Sequence, residues 1–408
     1  MNPVKSSLLR VLGTGFYIGM MTVGYAYNLT FIQIGLVDLA ERQVGLSPTA
    51  SAMQMTLLAL MTVAAALLCG KWMNKRQPGF HIKLRIAFFI VLLQTILTPL
   101  ALRVHSLSSL QVWIGMCALT LGIGIPITFS MAVDLVPRQW RGRTAAIITG
   151  SAYMLANLVP TGWSIEAFLQ PLMWIMPLAT VSLGILTSID GHWLSPYPGQ
   201  HRLPDFAIGR YAADGSKRLG ILILLMFGVF FVDSLGFLRF LDTPRLMEDA
   251  WQATSLQPRL IIALAHLLTA LIGGILYDAL DVRTLFYWIY GIFALTHLMY
   301  SFNLRLDSPG APLAMPMLYA TAVSLYTVVN FALWSDLSTP ANIGWNAALG
   351  VGLSGWTATF LSTALALQWK MQGIPLERHI NIVDSLAFLC LLAIIAYALR
   401  SKSPSPWS

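Results

Sequence analysis

Charge is what this sequence has least of. Asp, Glu, Lys and Arg make up 10% of its 408 residues, where soluble domains carry roughly 25%. So few charges cannot clothe a water-facing surface, which excludes a water-soluble enzyme. With 57% hydrophobic residues, the chain is not disordered either. Cysteine is almost absent. Cys69, Cys117 and Cys390 lie in apolar runs, with no CxxC spacing and no His partner nearby. That excludes a disulfide scaffold, offers no zinc site, and leaves the three as small packing residues. No metal and no cofactor is expected. Catalytic constellations are missing too: no region combines paired carboxylates, a Ser/His/Asp set or H-E-x-x-H spacing. The chain reads as a non-enzyme. Its Gly-rich run from Gly344 to Gly355 lacks the GK[ST] ending of a phosphate loop, and its small residues suit close helix packing.

What the chain has is long apolar runs, with a mean hydropathy of +0.70. A helix needs about 20 mostly apolar residues to cross a hydrocarbon core of about 30 Å. Twelve runs meet that need, near 12–37, 50–70, 83–102, 109–133, 143–165, 168–188, 219–241, 258–277, 283–302, 313–334, 344–368 and 381–399. Breakers such as Ser47-Pro48, Gln77-Pro78-Gly79 and Ser308-Pro309-Gly310 separate them. The runs do not alternate every second residue, as strands of a membrane barrel would. The first is too long for a cleavable signal and lacks a small-residue cleavage site. The expectation is an all-α, multi-pass integral membrane protein of twelve spans.

The formal net charge of +8 is a topology signal. With the N-terminus inside, 17 of the 25 Lys and Arg residues fall on the cytoplasmic side and 8 on the other. The positive-inside rule then puts both termini in the cytoplasm, at the cell membrane. The basic surplus also attracts anionic lipid headgroups of the bilayer, and nucleic acid is not needed to explain it. The longest polar stretch, residues 189–218, holds Pro196, Pro198, Pro204, His192, His201 and Asp214. It divides the chain into a bundle at 1–188, a cytoplasmic central loop at 189–218 and a second bundle at 219–408.

The two halves repeat. After span four stand Asp134-Leu135, Gly142, Ala145, Ala146 and Gly150. After span ten stand Asp336-Leu337, Gly344, Ala347, Ala348 and Gly352, each displaced by 202 residues. Gly70 and Asn74 after span two match Gly274 and Asp278 after span eight, displaced by 204. Duplicated halves are a common plan for carriers.

These residues resemble the major facilitator superfamily, and the resemblance covers essentially the whole chain. The loop after span two, with Gly70, Asn74, Lys75 and Arg76, looks like that family's G-x-x-x-D-[RK]-x-G-[RK]-[RK]. Its second copy has Gly274, Asp278 and Arg283. Asp134-Leu-Val-Pro137-Arg138-Gln-Trp-Arg141-Gly142-Arg143 is similar to the family's D-x-x-P-x-x-x-R-G-R loop. The stretch from Asn28 to Gln54 most resembles the drug:proton antiporter branch. The resemblance implies alternating access between two six-helix bundles, a small-molecule substrate and protons as a candidate coupling ion. Three marks of proton-coupled exporters are absent: Asn74 replaces an acid, Ala118 stands where a membrane Arg would fall, and only Val159-Pro160-Thr-Gly162 remains of a span-five pattern.

Physically, the loop glycines let helix ends approach, and an acid beside basic residues can pair across to a neighbouring helix. Gly70, Asn74, Arg141, Arg143, Gly274, Asp278 and Arg283 are therefore candidates for a cytoplasmic gate that breaks when the halves rock. Lys83 and Arg85 read as loop anchors to headgroups. Within the spans, Asp233 is about 14 residues deep, roughly 21 Å, and Asn28 about 16 residues deep, roughly 24 Å. Spans one and seven are equivalents, so the two would face each other across a central site. The alternative for Asp233 is a structural group paired with Arg239 or capped by hydroxyls of a neighbouring helix. Gln33, His266 and Asn330 are the further substrate or proton candidates. His266 could carry a proton, or hydrogen-bond between helices, as His297 could. Asn157 and Asn330 suit interhelical bonding or ligand contact. Tyr17, Tyr25, Tyr27, Tyr319, Tyr326 and Trp334 would suit an apolar, amphipathic ligand. The sequence thus reads as a monomeric secondary carrier of a small organic solute, with export of an amphipathic compound preferred. The other reading is a transport-inactive scaffold, or a pigment- or lipid-handling protein, of the same fold.

Overall fold

In the computed structural model, the described residues are 3–158, 163–188, 206, 208–212, 215–241, 243–248, 250–306 and 312–400. Most of the central loop lies outside them, including His192, Pro196, Pro198, His201, Pro204 and Asp214. So do Val159 to Gly162 and the Ser308-Pro309-Gly310 breaker. Long helices account for nearly all that is described, and no strand occurs among these residues.

The first bundle holds α1 (Pro3–Tyr27, continued through Asn28–Ile34, Gly35–Asp38 and Leu39–Gln43), α2 (Pro48–Arg76), α3 (Phe80–Leu100), α4 (Leu107–Leu135), α5 (Arg141–Leu158) and α6 (Ile165–Ser188). The second holds α7 (Gly215–Leu241), α8 (Leu256–Ala279), α9 (Val282–Arg305), α10 (Ala314–Asp336), α11 (Ile343–Met371) and α12 (Leu376–Arg400). Eleven of these are long and apolar enough to cross a membrane. The twelfth, α5, occupies the place of the fifth expected span. It has 18 described residues and opens on Arg141-Gly142-Arg143, which makes it the least apolar of the set.

Local chemistry sets the helix ends. The Ser47 hydroxyl accepts from Ala50 N, with Pro48 in the first turn of α2. Ser106 and Ser109 form a reciprocal capping box on α4. Two stretches of α1, Asn28–Ile34 and Leu39–Gln43, and one of α11, Ala348–Trp356, are wound in wide π-type turns. Such turns re-aim side chains and often lie at functional sites.

Packing repeats at an interval of six helices. Pairs α2/α4, α3/α6, α3/α4 and α1/α5 have counterparts in α8/α10, α9/α12, α9/α10 and α7/α11. The halves meet where α5 packs along α8 and where α2 packs along α11. Large apolar side chains such as Leu68, Phe89, Val112, Trp174, Leu224 and Leu268 point outward and exposed. Water would penalise that belt and lipid would not.

Candidate functional site

One cavity of about 520 Å³ lies between the two halves. Asn28, Gln33, Asp233, His266 and Asn330 all line it, as does Asn157. These residues come from α1, α5, α7, α8 and α10, so the space belongs to neither half alone. At its mouth stand Asp38, Glu41, Arg239 and Lys370, near the ends of α1, α7 and α11 remote from the central loop. The cavity opens on that side. Toward the central loop it ends on an aromatic layer. Phe331 stacks on Phe129 with centroids 5.7 Å apart and meets Tyr25 edge-on at 4.9 Å.

Asp233 is the acid at the depth of the cavity. Its two oxygens accept from the Tyr319 and Tyr326 hydroxyls, each at 2.5 Å. Of the two structural alternatives for Asp233, the cap by hydroxyls of a neighbouring helix is the one that forms, whereas Arg239 donates to the Ile374 carbonyl at 3.4 Å. The geometry follows from helical spacing: Tyr319 and Tyr326 are seven residues apart on α10, two turns along one face. On the opposite wall the Tyr25 and Tyr153 hydroxyls lie 2.9 Å apart, and Tyr153 reaches Thr327 Oγ1 at 3.3 Å. His266 Nδ1 sits 2.8 Å from Ser324 Oγ, and its ring stacks on Tyr153 at 4.4 Å. That contact joins α5 of one half to α8 of the other.

The central-loop face is closed by a charged cluster. Asp278, at the end of α8, accepts from the backbone N–H groups of Gly142 (3.0 Å) and Arg143 (3.1 Å). A carboxylate there satisfies two orphan donors of α5 and faces the positive end of its dipole. The Arg143 side chain stands 3.7 Å away and is mostly exposed, whereas Arg210 donates to Asp278 at 2.7 Å. Arg141 is buried and donates to Asp336 at 2.9 Å, to the Ser335 carbonyl at 2.8 Å and to the Phe206 carbonyl at 2.9 Å. Arg210 reaches Asp336 as well, at 3.3 Å. Burial works against the Arg210 cation, but Asp336, Tyr277 and Asp278 around it hold its pKa above the ordinary value. The loop backbone is pinned beside it: Gly209 N donates to Ser338 O at 3.0 Å and Tyr211 N to Asp336 O at 2.8 Å.

The repeat glycines meet crosswise at this face. Gly274 packs on α5, where a Cβ would lie 2.5 Å from Ala146 Cβ and from the Gly142 carbonyl. Gly70 packs on α11, where a Cβ would lie 2.8 Å from Ala348 Cβ and 2.9 Å from the Gly344 carbonyl. Asn74 is exposed, and Arg283 lies at the start of α9, where its N–H is capped by Asp281 at 2.8 Å. Neither joins the cluster at Asp278 in the way Arg210 does.

Lys83 is not a headgroup anchor. It is buried and pairs with Asp134 at 2.7 Å, a bridge from α3 to α4 within one half. The loop reading failed because span three begins in protein rather than at the lipid surface; Arg85, by contrast, is exposed. Of the aromatic candidates, Tyr25, Tyr319 and Tyr326 line the cavity. Tyr17 lies below it beside Arg141, while Tyr27 and Trp334 are fully buried. His297 is packed inside the second half against Phe240 and Phe293. Sequence reasoning did not single out Tyr153 or Arg210, and took Asp336 only as a repeat member, without the pairs it makes with Arg141 across the halves and with Arg210 of the central loop. Its displacement of 202 from Asp134 was the available signal.

No family model matches the chain, and no curated protein does. Solved structures do match over nearly its whole length. A bacterial homologue of the iron transporter ferroportin, in an outward-facing state, is 14% identical with a TM-score of 0.65, over 96% of this chain and 100% of that one. The proton:xylose symporter XylE bound to 6-bromo-6-deoxy-D-glucose is 13% identical with a TM-score of 0.60, over 98% and 96%. The xylose transporter XylE from E. coli, in a partially occluded inward-open conformation, is 15% identical with a TM-score of 0.63, over 97% and 98%. At such identity the likeness carries the fold. The chain has the fold of the major facilitator superfamily, with twelve helices in two pseudo-symmetric bundles of six.

Proposed function

We propose that this protein is a secondary active carrier that moves a small organic solute by alternating access. The observation that carries this reading is the one-sided cavity: it lies between the halves, is open at one end, and is closed at the other by pairs that cross from half to half. Solutes bind in carriers of this plan at the interface of repeats, and switching needs contacts present in one state only. The Lys and Arg count supports a cytoplasmic central-loop face with both termini, so the cavity opens outward in this state. Asn28, Gln33, Asp233, His266 and Asn330 are the solute or proton contacts. Gly70, Arg141, Arg143, Gly274 and Asp278 belong to the gate, joined by Arg210 and Asp336. Aromatic walls support an amphipathic solute. The antiporter-like stretch from Asn28 to Gln54 supports export, with protons as the candidate coupling ion and Asp233 as their carrier.

Proteoliposomes holding the purified protein test this. Counterflow of labelled cationic, neutral and anionic solutes, with and without an imposed pH gradient, is expected to show saturable flux of at least one of them. Flux in no arm, with the protein folded and correctly inserted, would return the chain to the reading of a transport-inactive scaffold.

A further inference from the structure

A piece of the central loop is docked on the closed face as a ligand would be. Gly209 N donates to Ser338 O at 3.0 Å and Tyr211 N to Asp336 O at 2.8 Å, so the partners step back as the loop steps forward. Between these two main-chain bonds Arg210 reaches four acceptors. It donates to Asp278 Oδ1 at 2.7 Å and to the Tyr277 and Asp278 carbonyls at 2.9 and 3.2 Å, and its Nε stands 3.3 Å from Asp336 Oδ2. A lysine ammonium is a point charge on a flexible stem and lacks the planar fork that spans such a set. Position 209 admits only glycine, because a Cβ there would run into the Asp336 backbone. Tyr211 is buried, and the Arg218 guanidinium lies over its ring, 5.7 Å from the centroid. Main-chain bonds, a guanidinium fork and a ring together read a sequence, Gly-Arg-aromatic, and not merely a charge.

These contacts lie on the second half, yet the groove is complete only when the halves meet. Arg141 of α5 donates to the Phe206 carbonyl and to Asp336, and Asp278 also accepts from the Gly142 and Arg143 backbone. Withdrawal of α5 would remove those donors and admit water around both carboxylates. A charge pair weakens as the surrounding dielectric rises. Docking is therefore stronger in the closed state, and by linkage a docked segment favours closure by the same factor.

Resting on the carrier reading above, we propose that Arg141, Tyr277, Asp278, Asp336 and Ser338 form a peptide-binding groove at the central-loop face, and that the loop segment anchored by Arg210 is its resident, autoinhibitory ligand. Undocking is then a step of its own, which precedes opening of that face and at which the cycle is held or released. A peptide of the same chemistry offered in trans closes the face in the segment's place.

Gly209→Val combined with Arg210→Ala expels the segment and leaves the groove residues untouched. The probe is a fluorescent peptide of residues 206–212, added to the full-length protein in nanodiscs. A tethered segment acts at an effective concentration of about millimolar, so it should exclude the free peptide. The wild type is expected to bind the peptide about tenfold or more weakly than the double variant does, and the double variant to bind a peptide carrying Arg210→Ala about tenfold or more weakly again. Spin labels at exposed Arg138 and Leu280 are expected to move apart in the double variant and to return when the peptide saturates it. Arg210→Lys keeps the charge and loses the fork; this milder variant is expected to widen the distance by an intermediate amount. Equal peptide binding by wild type and double variant, binding indifferent to the peptide's arginine, or label distances that ignore the variants and the peptide would overturn the assignment. Peptide binding and closure as expected, with no counterflow of any solute, would remove the carrier reading and leave the groove standing.

Discussion

The corner where α8 meets α5 and the corner where α2 meets α11 occupy equivalent places in the two halves, yet different forces hold them. Both are closed by small residues: Gly274 against Gly142 and Ala146, Gly70 against Gly344 and Ala348. At the first corner Asp278 caps α5 and binds Arg210, and Arg141 pairs with Asp336. At the second, the position matching Asp278 is the exposed Asn74, and the position matching Arg141 is Ile343, buried and apolar. Close packing has been kept on both sides and charge on one. Opening the central-loop face therefore costs an electrostatic rearrangement at one corner and only repacking at the other.

The largest effect separates a pair that crosses the halves from one that does not. Removing one partner of a buried ion pair costs about 3–5 kcal/mol. Arg141→Met and Lys83→Met should both lower the unfolding temperature, since Asp336 and Asp134 are each left buried. Only Arg141→Met should widen the distance between spin labels at exposed Arg138 and Leu280, because Lys83 and Asp134 lie in the same half. A widening in Lys83→Met would break the comparison.

Next come the glycines, where the corners should behave alike. Gly274→Ala and Gly70→Ala each press a Cβ into backbone and a methyl of the facing helix, an overpacking worth about 1–3 kcal/mol. Both should open the central-loop face by a similar amount in the same label measurement. An effect at one alone would mean that packing, too, is unequal.

Asp278→Ala removes the cap of α5, worth about 0.5–2 kcal/mol, and the contact to Arg210 with it. Asn74→Ala should leave the label distances unchanged. Smallest, and of opposite sign, is Asn74→Asp, which places an acid near the start of α11. A charge at a helix N-terminus is worth about 0.3–1 kcal/mol, so the closed population should rise a few-fold at low salt and less at high salt. No salt dependence would place Asn74 too far from that helix end to act.

The fold could be read from the chain because bilayer thickness fixes span length and the lack of charge leaves no other class. The candidate site was partly legible for a similar reason. A polar residue is costly within a span, so Asn28, Gln33, Asp233, His266 and Asn330 each stood out, and all five face one cavity. What resisted was partnership. That Asp233 is held by Tyr319 and Tyr326 depends on how α7 rotates against α10, which no periodicity within either helix encodes. Arg210 looked like one more basic loop residue, because its role depends on where a polar segment docks. Lys83 was misplaced since a Lys near a span end looks the same whether it meets headgroups or Asp134.

The central claim is that the two faces open in alternation. Two label pairs test it together: Arg138 with Leu280 across the central-loop face, and Gln170 with Leu256, all exposed, across the opposite one. Distances should be recorded for the wild type and for Arg141→Met. The account predicts that the variant lengthens the first distance and shortens the second, in populations that match. Lengthening of both, or a change in the first with none in the second, would mean that the cluster merely holds the helices together, and would contradict alternating access.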